Sequence, residues 1–238
     1  MKLEAGYNSA FEVRYEQYVH HGGVSCTLLY LSDLHFNKFS GPITEKIIAT
    51  IDNLEPDIIL LGGDYVDTKK GLVHFHRLLQ YLSQYKNVFA IAGNHEYYFG
   101  VDSIKQMITA NNIVWIEKNS IHFKLHNFTI QIDGNKPSLK KENTDLSILC
   151  LHKPVEIKQF AGNYHLIFAG HLHGGQFVFW ETAKGLYPGR LFYKWNILKK
   201  TISGCLLLIS KGLGDTLPMR INCVKDMIFV RVIGDTLS

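Results

Sequence analysis

Cysteine is scarce and scattered. The 238-residue chain carries Cys26, Cys150, Cys205 and Cys223, none in a CxxC pair, which excludes a zinc knuckle and offers no disulfide framework. Cys26 and Cys150 sit in apolar runs and read as small core residues of a protein in a reducing compartment. Also missing is any uninterrupted apolar stretch of about 18 residues, the length that spans a bilayer. The opening MKLEAGYNSAFEVRYEQYVHHGG has no apolar segment of signal-peptide length, so the expectation is a soluble, cytoplasmic protein. Low-complexity tracts, internal repeats, runs of like charge and Pro/Gly/Ser-rich linkers are absent too. Residues 1–238 are therefore expected to form a single domain.

What is present is globular in balance, with 46% hydrophobic and 19% charged residues. The net charge of +4 is spread along the chain, which argues against a nucleic-acid-binding face and for no more than an anionic partner. FEVRYEQYV at 11–19 alternates like an edge strand. It is followed by the apolar run CTLLYLSD ending at Asp33, a helical stripe of Ile43, Ile47, Ile48, Ile51 and Leu54, and DIILLGGD ending at Asp64. Leu72, Phe75, Leu79 and Leu82 mark a second helix, NVFAIAGNH a third strand, and residues 101–111 a third helix. Strand and helix alternating at this spacing predict parallel βαβ units. After about residue 113 the runs IHFKLH and FTIQID predict an antiparallel hairpin. LSILCLH, YHLIFAGHLH, CLLLISKG and MIFVRVIG read as further strands. The expected fold class is α/β, a four-layer α-β-β-α sandwich of two mixed sheets flanked by helices.

Five of the apolar runs finish at residues able to bind metal: Asp33 with His35, Asp64, Asn94 with His95, His152, and His171 with His173. In parallel sheets ligands sit beyond the carboxyl ends of the strands, so these ends are expected to converge. The last of them lies in GHLHGGQ, where an extended backbone would point both imidazoles to one side and the glycines would let the chain approach a ligand closely. Oxygen and imidazole donors without thiolate point to Mn, Fe or Zn rather than a structural zinc site. They are too many for one ion. Two divalent ions sharing them would form a device for in-line displacement at phosphorus.

DLH, GDYVD, GNHE, a later lone His and GHLH follow the order and spacing of the calcineurin-like metallophosphoesterases, which the chain resembles over residues 33–173. The resemblance implies two divalent metal ions, with manganese first and iron or zinc as alternatives. Asp33, His35 and His173 would hold one, Asn94, His152 and His171 the other, and Asp64 would bridge them. It makes His95 a non-ligand histidine that stabilises the transition state or protonates the leaving oxygen, and Asp67 the carboxylate that orients it. Attack by a metal-bound hydroxide on a phosphodiester or pyrophosphate is the implied reaction. The protein Ser/Thr phosphatase branch continues its second motif into Arg-Gly, whereas Thr68 and Lys69 stand here.

GNHEYYFG, GHLHGGQ, GLYPGRLFY and SKGLGDTLPMRINC resemble a bacterial branch of often membrane-associated phosphohydrolases that includes UDP-2,3-diacylglucosamine hydrolases. This second resemblance reaches about residue 223. It implies a lipid-linked nucleotide or other phosphate-containing small molecule as substrate, and a peripheral place at the inner membrane. Residues 189–200, GRLFYKWNILKK, interleave Arg190, Lys194, Lys199 and Lys200 with aromatic and aliphatic residues. That mixture suits a membrane interface, or equally an ordinary core element with basic ends. A nuclease, a cyclic-nucleotide phosphodiesterase, and a non-catalytic scaffold of the same fold are the alternative functions; His95 speaks against the last.

Overall fold

The computed structural model describes residues 3–6, 8–118, 120–137, 144–155 and 157–235. Two six-stranded mixed sheets face each other. The first runs Glu12–His20, Asp226–Gly234, Cys26–Leu31, Ile58–Leu61, Val88–Ala90, Val114–Trp115. The second runs Lys199–Ile202, Cys205–Ile209, Leu166–Ala169, Leu146–Cys150, Phe128–Asp133, Ile121–Leu125. Four consecutive strands of each sheet are parallel, from Cys26–Leu31 to Val114–Trp115 in the first and from Cys205–Ile209 to Phe128–Asp133 in the second. Glu12–His20 lies at an edge and 121–133 forms the antiparallel hairpin, both as the alternation predicts.

Alternation decides which residues meet between the sheets. From the 26–31 strand, Leu28 and Tyr30 pack with Ile130, Ile148, Phe168 and Leu208 of the other sheet, while Leu29 and Leu31 turn outward onto the helices. Those helices, Gly41–Leu54, Leu72–Leu82 and Val101–Thr109, bury Ile43, Ile47, Ile51, Phe75, Leu79 and Leu82 of the expected stripes, along with Leu78. The fourth layer is thin. Among the described residues, the single turn Ile157–Phe160 and loop residues such as Trp195 and Ile197 cover the outer face of the second sheet. No helix among the described residues is long and apolar enough to cross a membrane.

The strands stop short of the donors. Regular pairing ends at Leu31, Leu61, Ala90, Cys150 and Ala169, two to four residues before Asp33, Asp64, Asn94, His152 and His171. Asn94 does not extend a strand; it opens the short helix Asn94–Phe99. That helix carries Glu96, which is 1% exposed. Its carboxylate accepts N–H bonds from Asp64 (2.8 Å), Tyr65 (2.8 Å) and Gly93 (2.6 Å), tying two connecting loops together and capping the helix. A buried donor left without a partner costs about 1–3 kcal/mol. Glu96→Ala strands three, so it should destabilise the fold by roughly 3 kcal/mol or more, and Glu96→Gln by less. Urea midpoints of the two variants measure this, and a Glu96→Ala midpoint equal to that of the parent chain would remove Glu96 as the tie.

Candidate metal centre

Beyond the strand ends the backbone turns sharply, and the donors do the turning. Asp33 (φ 54°), His35 (φ 44°), Asp64 (φ 55°), His171 (φ 70°) and His173 (φ 49°) all lie in the left-handed region, uncommon for residues with a side chain. The histidines of GHLHGGQ therefore do not sit in an extended backbone as expected. Leu172 between them is right-handed, and His173–Gly175 closes as a 3₁₀ turn. Alternating left- and right-handed residues bend the chain so that His171 faces one group of donors and His173 another. Gly170 lets this loop reach the first strand end, since a Cβ there would stand 2.1 Å from Ser32 Oγ and 2.3 Å from Asp33 Oδ2.

The donors form overlapping groups whose ligand atoms lie within 4.8 Å of one another: Asp33, His35 and His173; Asp64, His152 and His171; and His35, Asp64 and His95. Asp64 belongs to two. Its Oδ2 lies 3.3 Å from His152 Nε2 and 3.7 Å from His35 Nε2, while its Oδ1 accepts the His95 backbone N–H at 2.8 Å. Asn94 Oδ1 stands 3.0 Å from His152 Nε2, and His171 Nδ1 stands 3.2 Å from the same atom. Across the centre, His173 Nε2 lies 3.1 Å from His35 Nε2 and 3.6 Å from Asp33 Oδ1. Every residue assigned to the metals from sequence is thus brought to one place. His95 also touches that place, at its one-third-exposed rim.

Partners outside the centre orient the rings. His152 Nδ1 lies 2.9 Å from the Gly62 carbonyl, and His35 Nδ1 lies 2.7 Å from Asp67 Oδ1. Each ring thus donates outward and turns Nε2 inward, the arrangement that makes an imidazole a metal ligand. Asp67 also bonds His95 Nδ1 at 2.9 Å, so it serves two histidines and not His95 alone. Asp33 is held by the His171 backbone N–H (3.0 Å to each oxygen) and by the Ser32 hydroxyl (2.5 Å). Arg220, 1% exposed, lies 3.3 Å from His173 Nδ1 and donates to the carbonyls of Lys211 and Gly214 and to Asp215.

The electrostatics ask for cations. Burial raises the Asp33 carboxyl above its ordinary range. Burial acts the same way on Asp64, but hydrogen bonding and charge from His152 and His35 outweigh it and hold Asp64 well below the usual carboxylate range. His152 resists burial through Asp64 and Asp33 and is pushed up to about 9, while burial and the nearby charges of His152 and Lys153 push His171 down to about 4. Burial, His35 and Arg220 hold His173 far below the ordinary imidazole value. Inward nitrogens crowded to 3.1 and 3.2 Å around buried carboxylates form a donor set that fits divalent ions. The bond to Asp67 raises His95.

Glu96, Ser32, Asn135 and Arg220 are supporting residues that the sequence reading does not single out. Asn135 accepts the His152 N–H (2.8 Å) and donates to the Ala92 carbonyl (2.6 Å), joining the loops of the two sheets. Only Glu96 had a sequence signal, its place three residues after Gly93 at a helix start. Of the aromatics after His95, Tyr97 and Tyr98 are exposed and Phe99 packs on the helical core. Segment 189–200 is split. Gly189–Phe192 is one helical turn with Leu191, Phe192 and Tyr193 exposed, whereas Ile197 is buried and Lys199 sits on a strand, paired with Glu16 at 2.6 Å.

The profile of the calcineurin-like phosphoesterase family matches residues 26–175. An uncharacterized metallophosphoesterase of Aquifex aeolicus is 27% identical, with 89% of this chain and 87% of that protein covered. One from Helicobacter pylori is 28% identical, with 63% of this chain and 45% of that protein covered, so the chain spans less than half of that relative. A protein of Escherichia coli named Phosphodiesterase YaeI is 27% identical, with 63% and 61% covered. The fold is shared with a 5'-nucleotidase precursor of Thermus thermophilus, at a TM-score of 0.55, 12% identity, and 88% and 54% coverage. It is shared also with the calcineurin-like phosphoesterase YfkN of Bacillus subtilis, at 0.51, 13%, and 85% and 89%. With the matched region running through every donor from Asp33 to His173, the chain belongs to the calcineurin-like phosphoesterase family.

Proposed function

We propose that the chain hydrolyses a phosphodiester or pyrophosphate bond, using two divalent ions held beyond the strand ends. The observation that carries this reading is Asp64 Oδ2, set between His152 Nε2 at 3.3 Å and His35 Nε2 at 3.7 Å. In this assignment Asp33, His35 and His173 hold one ion, Asn94, His152 and His171 the other, and Asp64 bridges. When bound, such a pair supplies a nucleophile from water near neutral pH and neutralises phosphoryl oxygens as charge builds. The chain's own part is positioning and proton traffic. Asp67 anchors His95 at the rim, keeps it charged to higher pH than an ordinary imidazole, and lets it give a proton to the leaving oxygen.

Manganese is the ion we assign, with iron or zinc as alternatives suited to the same oxygen and nitrogen donors. The likeness to the Escherichia coli protein named a phosphodiesterase supports a diester. A lipid-linked nucleotide such as UDP-2,3-diacylglucosamine extends the reading to a natural substrate, and contact of 189–194 with a membrane surface extends it to a partner. Exposed Leu191, Phe192 and Tyr193 beside Arg190 and Lys194 support both extensions.

Asp64→Asn should nearly abolish hydrolysis of an aryl phosphodiester and lower occupancy at both ion positions, because it removes charge from the shared ligand. Elemental analysis alongside the rate tests this; two retained ions and a normal rate would take Asp64 out of the centre. His95→Ala should keep the metal content and lower kcat by roughly 10²-fold or more. Esters with good leaving groups should suffer less. Metal lost in step with activity would make His95 a ligand.

A further inference from the structure

Beside the donors runs a trough of about 300 Å³, walled by Val155, Leu172, Phe192, Tyr193 and Trp195, and touching His171. A second hollow of about 330 Å³ takes in Asn94, His152 and Tyr97 and shares Lys153 and Val155 with the first. Together they lead from the metal centre along an apolar wall. Val155 is 57%, Phe192 78% and Tyr193 56% exposed, so the wall leaves large apolar groups in water at the mouth of the site, as ligand sites do. Among the described residues, two lysines line these hollows. Lys153 follows His152 directly and lines both hollows. Lys194 lies 5.7 Å over the Trp195 ring. One cation at the junction and apolar walls beyond match a ligand with an anionic head at the metals and an uncharged, apolar arm.

We infer that this trough is a substrate subsite, in which Val155, Phe192, Tyr193 and Trp195 take an apolar arm of the phosphoester while Lys153 meets the phosphate. The inference rests on the hydrolase reading above and narrows its substrate class to esters with an extended alkyl or aromatic arm. Burial of three or four methylenes corresponds to roughly a hundredfold in affinity. A site of this size, open on one side, has room to bury that much of a chain.

The test is calorimetric titration of the manganese-loaded full chain with n-octyl phosphate, below its micelle concentration, and with methyl phosphate. Octyl phosphate should bind about a hundredfold more tightly. Replacing the exposed walls together, Val155→Ser with Phe192→Ser and Tyr193→Ser, should cut that ratio by about tenfold and leave methyl phosphate binding unchanged. Lys153→Gln should weaken both ligands by one factor, since it acts on the shared head. Equal affinity for the two phosphates, or a ratio untouched by the triple substitution, overturns the subsite. Turnover of p-nitrophenyl methyl phosphate and p-nitrophenyl octyl phosphate separates the two levels. If neither is hydrolysed while the octyl preference in binding holds and falls in the triple variant, the hydrolase reading fails and the subsite stands.

Discussion

One carboxylate ties the molecule together. Asp64 lies where the two donor groups meet, and its position is set by backbone bonds rather than by its own side chain's choice. Its N–H is fixed by Glu96, its Oδ1 by the His95 N–H, and its Oδ2 faces His35 and His152. His35 follows the first strand, Asp64 the second, His95 and Glu96 the third, and His152 a strand of the other sheet. Contacts around this one group therefore register both sheets against each other. Gly93 shows how tight the fit is, because a Cβ there would stand 2.2 Å from Asp64 Oδ1.

This arrangement is costly. Left-handed backbone at a residue with a side chain costs roughly 1–3 kcal/mol, and Asp33, His35, Asp64, His171 and His173 all adopt it. Buried carboxylates and imidazoles facing one another add to that cost when no cation is bound. The offset lies in the layers. Leu28, Tyr30, Ile148, Phe168 and Leu208 are fully buried between the sheets, and each large apolar side chain so placed contributes about 1.5–3 kcal/mol. A rigid double sheet can hold strained loops at its edge, and metal binding would then relieve the charge.

The legible part of this design was the part written in alternation and in donor type. The strands were readable because their apolar runs are bounded by polar residues, and the donors because each follows such a run. The supporting residues were not. Glu96 works through backbone N–H groups of loops about 30 residues away, and Arg220 reaches His173 from the short strand Met219–Ile221, 47 residues later; no local pattern encodes either contact. The GHLHGGQ turn misled for a related reason. Spacing alone suggested an extended pair, whereas tertiary contact with Ser32 and Asp33 favours alternating handedness. Segment 189–200 read as one basic-aromatic unit, yet strand pairing at Lys199–Ile202 takes its last two residues, Lys199 and Lys200, into the sheet.

The same geometry links the fold to the chemistry assigned to it. Crossover connections bring the ends of parallel strands from two sheets to one edge, and sharp turns there aim side chains inward. Asp67 holds both His35 and His95, so in the proposed assignment ion binding and proton donation would share one anchor. The most direct test of the account is a crystal structure of the chain grown with manganese and recorded at the manganese absorption edge. Two anomalous peaks about 3.5–4 Å apart are expected, one among Asp33, His35 and His173 and one among Asn94, His152 and His171, with Asp64 between them. A single peak, or peaks away from Asp64, would contradict it.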